Sequence, residues 1–166
     1  VVAVLALLLG LGVASFGRVL ETTRLRTLSN DLVSDLRLTR SEAILRGERV
    51  VMCTAMTSDN CSQEAGWHQG WILFVDTNNN AWRDDGEPVL RAKAAVPAGW
   101  NITGNMPVAR YVSYDALGST RLTGGGFQAG TVTVCRRGSS NTPARRVIIN
   151  SVGRSRSENT TLARCD

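Results

Sequence analysis

The sequence predicts an α+β protein: one long N-terminal helix, apolar in its first half, whose second half packs on a small antiparallel β-rich head. Three observations predict it. An uncharged apolar run fills residues 1–16. Leucines then recur at helical spacing from Leu25 to Leu36. Beyond about Val50 the apolar residues fall in short clusters, separated by turns containing Gly, Asn, Ser and Pro.

Nothing polar interrupts the first thirteen positions, so the first half of the helix must be covered on every side, by lipid or by other subunits. The run is shorter than the roughly 20 residues that cross a bilayer core, and the sequence begins inside the apolar pattern. Further apolar residues are therefore expected ahead of Val1. Leu25, Leu28, Leu32 and Leu36 line one helical face. Arg24, Arg26, Asp31, Asp35, Arg37 and Arg40 are expected around the other, wet faces. Gly47, just after Arg46, is the expected helix stop, with a basic last turn that suits the dipole. Such a helix is roughly 70 Å long at about 1.5 Å per residue, too long to be buried in one small domain. Three segments follow: 1–24, an apolar membrane or filament-core half; 25–47, an amphipathic half packed on the head; and 48–166, the head.

In the head, strands are expected at 50–54, 71–76, 89–94, 101–103, 110–114, 131–136 and 146–150, where Val, Ile, Trp and Tyr concentrate. Residues 124–130 and 138–143 are expected as loops, the second mobile. The helix tail lying across a sheet face makes this an α+β arrangement.

Four cysteines could ligate a metal or form disulfides. No C-x-x-C occurs and His68 is the single histidine, so no metal site is expected. Three disulfide connectivities are possible. The expected one joins neighbours in sequence: Cys53 with Cys61, closing a short loop, and Cys135 with Cys165, tying down the C-terminus. Such bonds place the head in an oxidising compartment, the periplasm or the cell exterior. No Ser/His/Asp arrangement, phosphate loop or opposed pair of carboxylates is evident. No catalytic residue and no cofactor is assigned.

The loop 76–87 puts Asp76, Asn78, Asn80, Asp84 and Glu87 at positions 1, 3, 5, 9 and 12 of a calcium-loop pattern. Position 6 is Ala81, where that pattern needs glycine, and the flanks read as strands. Asn and Asp are also the commonest turn formers. The loop is read as a long hairpin turn.

Charge is unevenly placed. Residues 1–100 carry 10 basic and 11 acidic residues, whereas residues 101–166 carry 9 arginines against 3 acids. These arginines cluster as Arg136 and Arg137, Arg145 and Arg146, and Arg154 and Arg156 behind Gly153, with Arg164 beside the last cysteine. A basic face is the electrostatic footprint of nucleic-acid binding, and the planar guanidinium suits phosphate. Spaced by two, Arg154 and Arg156 are expected to project to one side if strand geometry persists there, with Arg136, Arg137, Arg145 and Arg146 extending that surface.

Several segments together resemble the GspH/FimT group of type IV pilin-like proteins, the minor pilins of type IV pili and minor pseudopilins of type II secretion. They are the apolar start; Arg40-Ser41-Glu42-Ala43-Ile44; Gly70-Trp71-Ile72-Leu73-Phe74-Val75-Asp76 with Asp85-Gly86-Glu87-Pro88; Tyr114-Asp115-Ala116-Leu117-Gly118; and Ile148-Ile149-Asn150-Ser151-Val152-Gly153-Arg154. The resemblance covers essentially the whole chain. It implies a type IV pilin-like fold and a leader ending in glycine ahead of a mature Phe-Thr-Leu-Ile-Glu type start. It also implies a single-pass inner-membrane protein with a periplasmic head, which assembles with other pilin or pseudopilin subunits through its helix. In the FimT-like branch a C-terminal Gly-Arg-x-Arg motif is associated with DNA binding during natural transformation, and Gly153 to Arg156 matches it. The expected function is that of a minor type IV pilin with double-stranded DNA as a partner. The alternative is a GspH-like pseudopilin without a DNA role.

Overall fold

A computed structural model describes the backbone of residues 2–138 and 140–165, and side chains from residue 17 onward except 18. Helix α1 (Val2–Arg46) is followed by β1 (Val50–Thr54), β2 (Gly70–Val75), β3 (Val89–Ala94), β4 (Trp100–Gly104), β5 (Tyr111–Tyr114), β6 (Gly130–Arg136), β7 (Ser140–Ile149) and β8 (Ser155–Arg164). These strands form two antiparallel four-stranded sheets, in the orders β3-β2-β1-β5 and β4-β6-β7-β8.

The leucine stripe does what its spacing demands. Leu25, Leu28, Leu32 and Leu36 are all buried, and they pack with Trp71 and Leu73 of one sheet and Val132, Val134, Val147 and Ile149 of the other. Burying a side chain of this size contributes about 2 kcal/mol, so the helix face is the keel that joins the two sheets. Ser29 and Thr39 lie on this buried side and return their hydroxyls to the carbonyls of Leu25 and Asp35, which satisfies them within the helix. Gly47 takes φ 67° and its N–H donates to the Ala43 carbonyl, the left-handed stop that glycine supplies. Among the described residues no helix is long and apolar enough to cross a membrane. The side chains of the apolar run at 1–16 lie outside those described.

Both faces of β1 and β2 are buried. One faces α1. The other carries Val51, Cys53, Ile72 and Phe74, covered by Cys61 and Ala81. The structure joins Cys53 to Cys61 and Cys135 to Cys165, with Cα–Cα distances of 5.7 and 5.9 Å. The second closes the longer loop and fastens the end of β8 to β6; chain-entropy arguments give such a closure about 3–4 kcal/mol.

Two expectations need correction. Asp35 does not keep a wet face: it is 1% exposed and accepts a hydrogen bond from Trp71 Nε1 at 2.8 Å, beside Arg91 at 3.2 Å. A helix position polar in sequence is thus turned inward because an indole N–H in the core needs an acceptor. Nor is 138–143 all loop, since β7 starts at Ser140 and pairs with β8. Pro143 stands one step beyond the last β6 pairing, Cys135 with Ala144, where a missing N–H is tolerated.

Candidate nucleic-acid and assembly surfaces

Among the described side chains, the earliest ion pair between helix and head is at Glu21, whose carboxylate pairs with Arg136 at 3.1 Å. Just before that point Val19 and Leu20 are 58% and 56% exposed. Among the described side chains the helix thus passes, between Leu20 and Leu25, from an exposed stretch to one packed on the head.

Cross-strand partners in an antiparallel sheet share a face, and this places the arginines. In the β4-β6-β7-β8 sheet, Val134, Val147 and Ile149 face α1. Arg145 sits in that inward set opposite Val134 and donates to Ser157 Oγ at 2.6 Å. Arg146 and Arg156 lie on the outer face. Arg146 is opposite Glu158 and Arg156 opposite Ile148, so the two arginines are diagonal neighbours. Arg154 stands exposed in the β7–β8 turn, where its N–H donates to Asn150 Oδ1. Below Arg146 the outer face holds a shallow recess of about 490 Å³ lined by Thr103, Asn105, Thr131, Thr133 and Glu158.

The remaining pair is elsewhere. Arg136 and Arg137 lie at the far end of β6, level with Glu21. Arg137 donates to Asn101 Oδ1 at 3.3 Å and lies 3.0 Å from His68 Nε2. The structure thus brings Arg146, Arg154 and Arg156 together, holds Arg136 and Arg137 apart from them, and turns Arg145 inward. Sequence reading missed Glu158, which lies 3.8 Å from Arg156 and sets a negative charge between the two outer arginines. Its signal was the spacing of two from Arg156, visible once 155–164 is recognised as a strand.

Gly153 has a structural task. It takes φ +79°, and a Cβ there would lie 1.9 Å from the Gly118 carbonyl oxygen. That same oxygen accepts a hydrogen bond from Arg40 Nε at 2.9 Å, and Ile44 packs over Gly118. Three of the segments that carry the family resemblance, around Arg40, Gly118 and Gly153, meet at this one junction. Beside it burial pushes the Tyr114 phenol above its usual range, with Arg40 opposing.

The loop 76–87 is closed by its own side chains. Asp76 accepts from the N–H groups of Asn80 and Ala81. Asn78 and Asn80 both donate to Asp84 Oδ2, and these bonds hold the Asp84 carboxyl below its ordinary range. Buried Glu87 accepts from the backbone N–H groups of Thr77 and Asp84. Burial raises the Asp76 carboxyl, partly offset by its backbone bonds. Among the described residues no group of three or more His, Cys, Asp or Glu is arranged to hold a metal. His68 lies in a single 3-10 turn, Trp67–Gln69, where burial and then Arg137 lower its basicity.

Two crystal structures of the type IV minor pilin FimU from Pseudomonas aeruginosa share this fold. One is 17% identical with a TM-score of 0.63, covering 88% of this chain and 98% of that one. The other is 16% identical with a TM-score of 0.61, covering 86% and 100%. No curated protein sequence matches the chain. A family model described as Type II transport protein GspH matches residues 28–153, from the packed half of α1 to the Gly118–Gly153 junction. The chain belongs to the GspH family of pilin-like proteins.

Proposed function

We propose that the protein is a minor type IV pilin, held in the inner membrane by its apolar half-helix and then packed with other pilin-type subunits into a filament. The observation that supports this reading is the exposure of Val19 and Leu20 just ahead of the Glu21–Arg136 pair, in a helix whose sequence before them is an uncharged apolar run over residues 1–16. Apolar surface of that extent is costly in water at about 25 cal/mol per Å², and transfer from lipid to a bundle of like helices avoids the exposure. Val19→Glu with Leu20→Glu should leave the head folded and abolish incorporation into filaments, read by immunoblot of sheared filaments. Undiminished incorporation would remove the half-helix as the assembly element.

The same reading gives the filament a weak contact with double-stranded DNA through Arg146, Arg154 and Arg156. Few phosphates are engaged and Glu158 cancels part of the charge, so binding should be sequence-independent and on the order of micromolar or weaker. Its log–log salt slope should be shallow, about −2 to −3. In gel shifts with a short duplex, Arg154→Ala plus Arg156→Ala should abolish retardation, and Glu158→Gln should strengthen it severalfold. Unchanged binding by both variants would remove this face as the DNA site. The alternative, a pseudopilin of type II secretion with no DNA role, is favoured by the description of the matching family, and no retardation of DNA at low salt would select it.

A further inference from the structure

Arg136, Arg137 and Arg164 lie at the end of the β4-β6-β7-β8 sheet opposite the β7–β8 turn, where they form a group of their own at the base of the head. Arg136 sits on β6 next to Cys135, and Arg164 on β8 next to Cys165, and the disulfide between those cysteines holds the two strand ends 5.9 Å apart at Cα. Arg137 follows directly, and its backbone N–H donates to the Gly99 carbonyl. Arg136 is 53% exposed on its side chain even while paired with Glu21; Arg137 and Arg164 are exposed too. Arg24 lies exposed on the helix one turn above Glu21. Helical side chains lean toward the N-terminus, so Arg24 reaches back toward the same end.

Their height along the helix gives this group a ligand. Glu21 is five residues past Phe16, about 7 Å along the axis at about 1.5 Å per residue. The polar layer on each side of a bilayer core is about 5–8 Å thick. With the apolar run in hydrocarbon, Arg136 and its neighbours stand at the level of the head-group phosphates. We propose that Arg24, Arg136, Arg137 and Arg164 form a basic collar that seats the head on anionic phospholipid head groups while the helix is held in the membrane. The inference rests on the membrane-held stage of the function proposed above.

Guanidinium and phosphate fit bidentately, and each arginine near an anionic surface is worth about a fivefold gain in surface affinity. The contact is screened by salt, so the collar steadies the head without fixing it, and extraction into a filament breaks it. It also assigns Arg136 and Arg137 to lipid, leaving DNA to the outer face.

The test uses the full chain with a fluorescent amino acid at Ser140, reconstituted in vesicles of phosphatidylcholine alone or mixed equally with phosphatidylglycerol, both doped with head-group nitroxide lipid. Co-flotation reports the anchor, and quenching reports the seated head. Strong quenching is expected in the anionic vesicles alone, falling with salt. The triple variant Arg136→Ala, Arg137→Ala, Arg164→Ala should lose it while still floating, and the triple lysine variant should keep most of it. Flotation with equal quenching in both compositions overturns the collar and leaves the anchor standing. Failure to float with either removes both. If the alanine variant loses DNA retardation while quenching is unchanged, the group serves nucleic acid and the proposal falls.

Discussion

Gly153→Ala is expected to destabilise the head by about 3 kcal/mol or more, in the range reserved for a strained backbone combined with a steric clash. At φ +79° any L side chain is strained, and the new Cβ would meet the Gly118 carbonyl oxygen at 1.9 Å. That carbonyl has little freedom to yield, because Arg40 Nε holds it at 2.9 Å. The loss should appear as a fall in melting temperature on the order of 10 °C. Arg154→Ala, one residue on and exposed, should change stability by no more than about 0.5 kcal/mol. If the two substitutions melt alike, the junction does not hold the turn. Loss of DNA retardation in Gly153→Ala would thus report a displaced turn, since glycine offers no side chain to phosphate.

Asp35→Ala should cost about 3 kcal/mol. The substitution leaves the buried Trp71 N–H without its acceptor, and breaking a buried charge-assisted partnership is expensive. Arg91 is half-exposed and recovers water, so most of the loss belongs to Trp71. Asp35→Asn keeps an acceptor oxygen and should lose less. Urea unfolding of the two variants checks this: equal midpoints would show that the Trp71 bond contributes nothing. Because Asp35 is on α1 and Trp71 on β2, the alanine variant should also loosen the helix from the head before the sheets unfold.

Much of this architecture was legible because its signals are periodic. The leucine stripe and Gly47 fixed the packed helix and its end, and β1 and β3 fall on the apolar clusters at 50–54 and 89–94. β8 was not legible: as an edge strand paired on one side only, it buries little, and Ser155–Arg164 holds a single large apolar residue, Leu162. Without β8 the arginines could not be sorted by face, so one inferred surface became an outer group, a basal group and an inward Arg145. Asp35 was illegible for another reason, since its acceptor role depends on an indole 36 residues away in sequence. The Gly-Arg-x-Arg segment looked like a ligand motif from end to end, yet its glycine answers to Gly118 and Arg40.

In the function proposed here the head folds from Glu21 onward and assembly resides in the half-helix before it. Light scattering on a chain beginning at Glu21, which keeps Leu25 in the core and the Glu21–Arg136 pair, measures this directly. A cooperatively melting monomer is expected at every concentration tested, and a stable oligomer of that truncated chain would place assembly in the head instead.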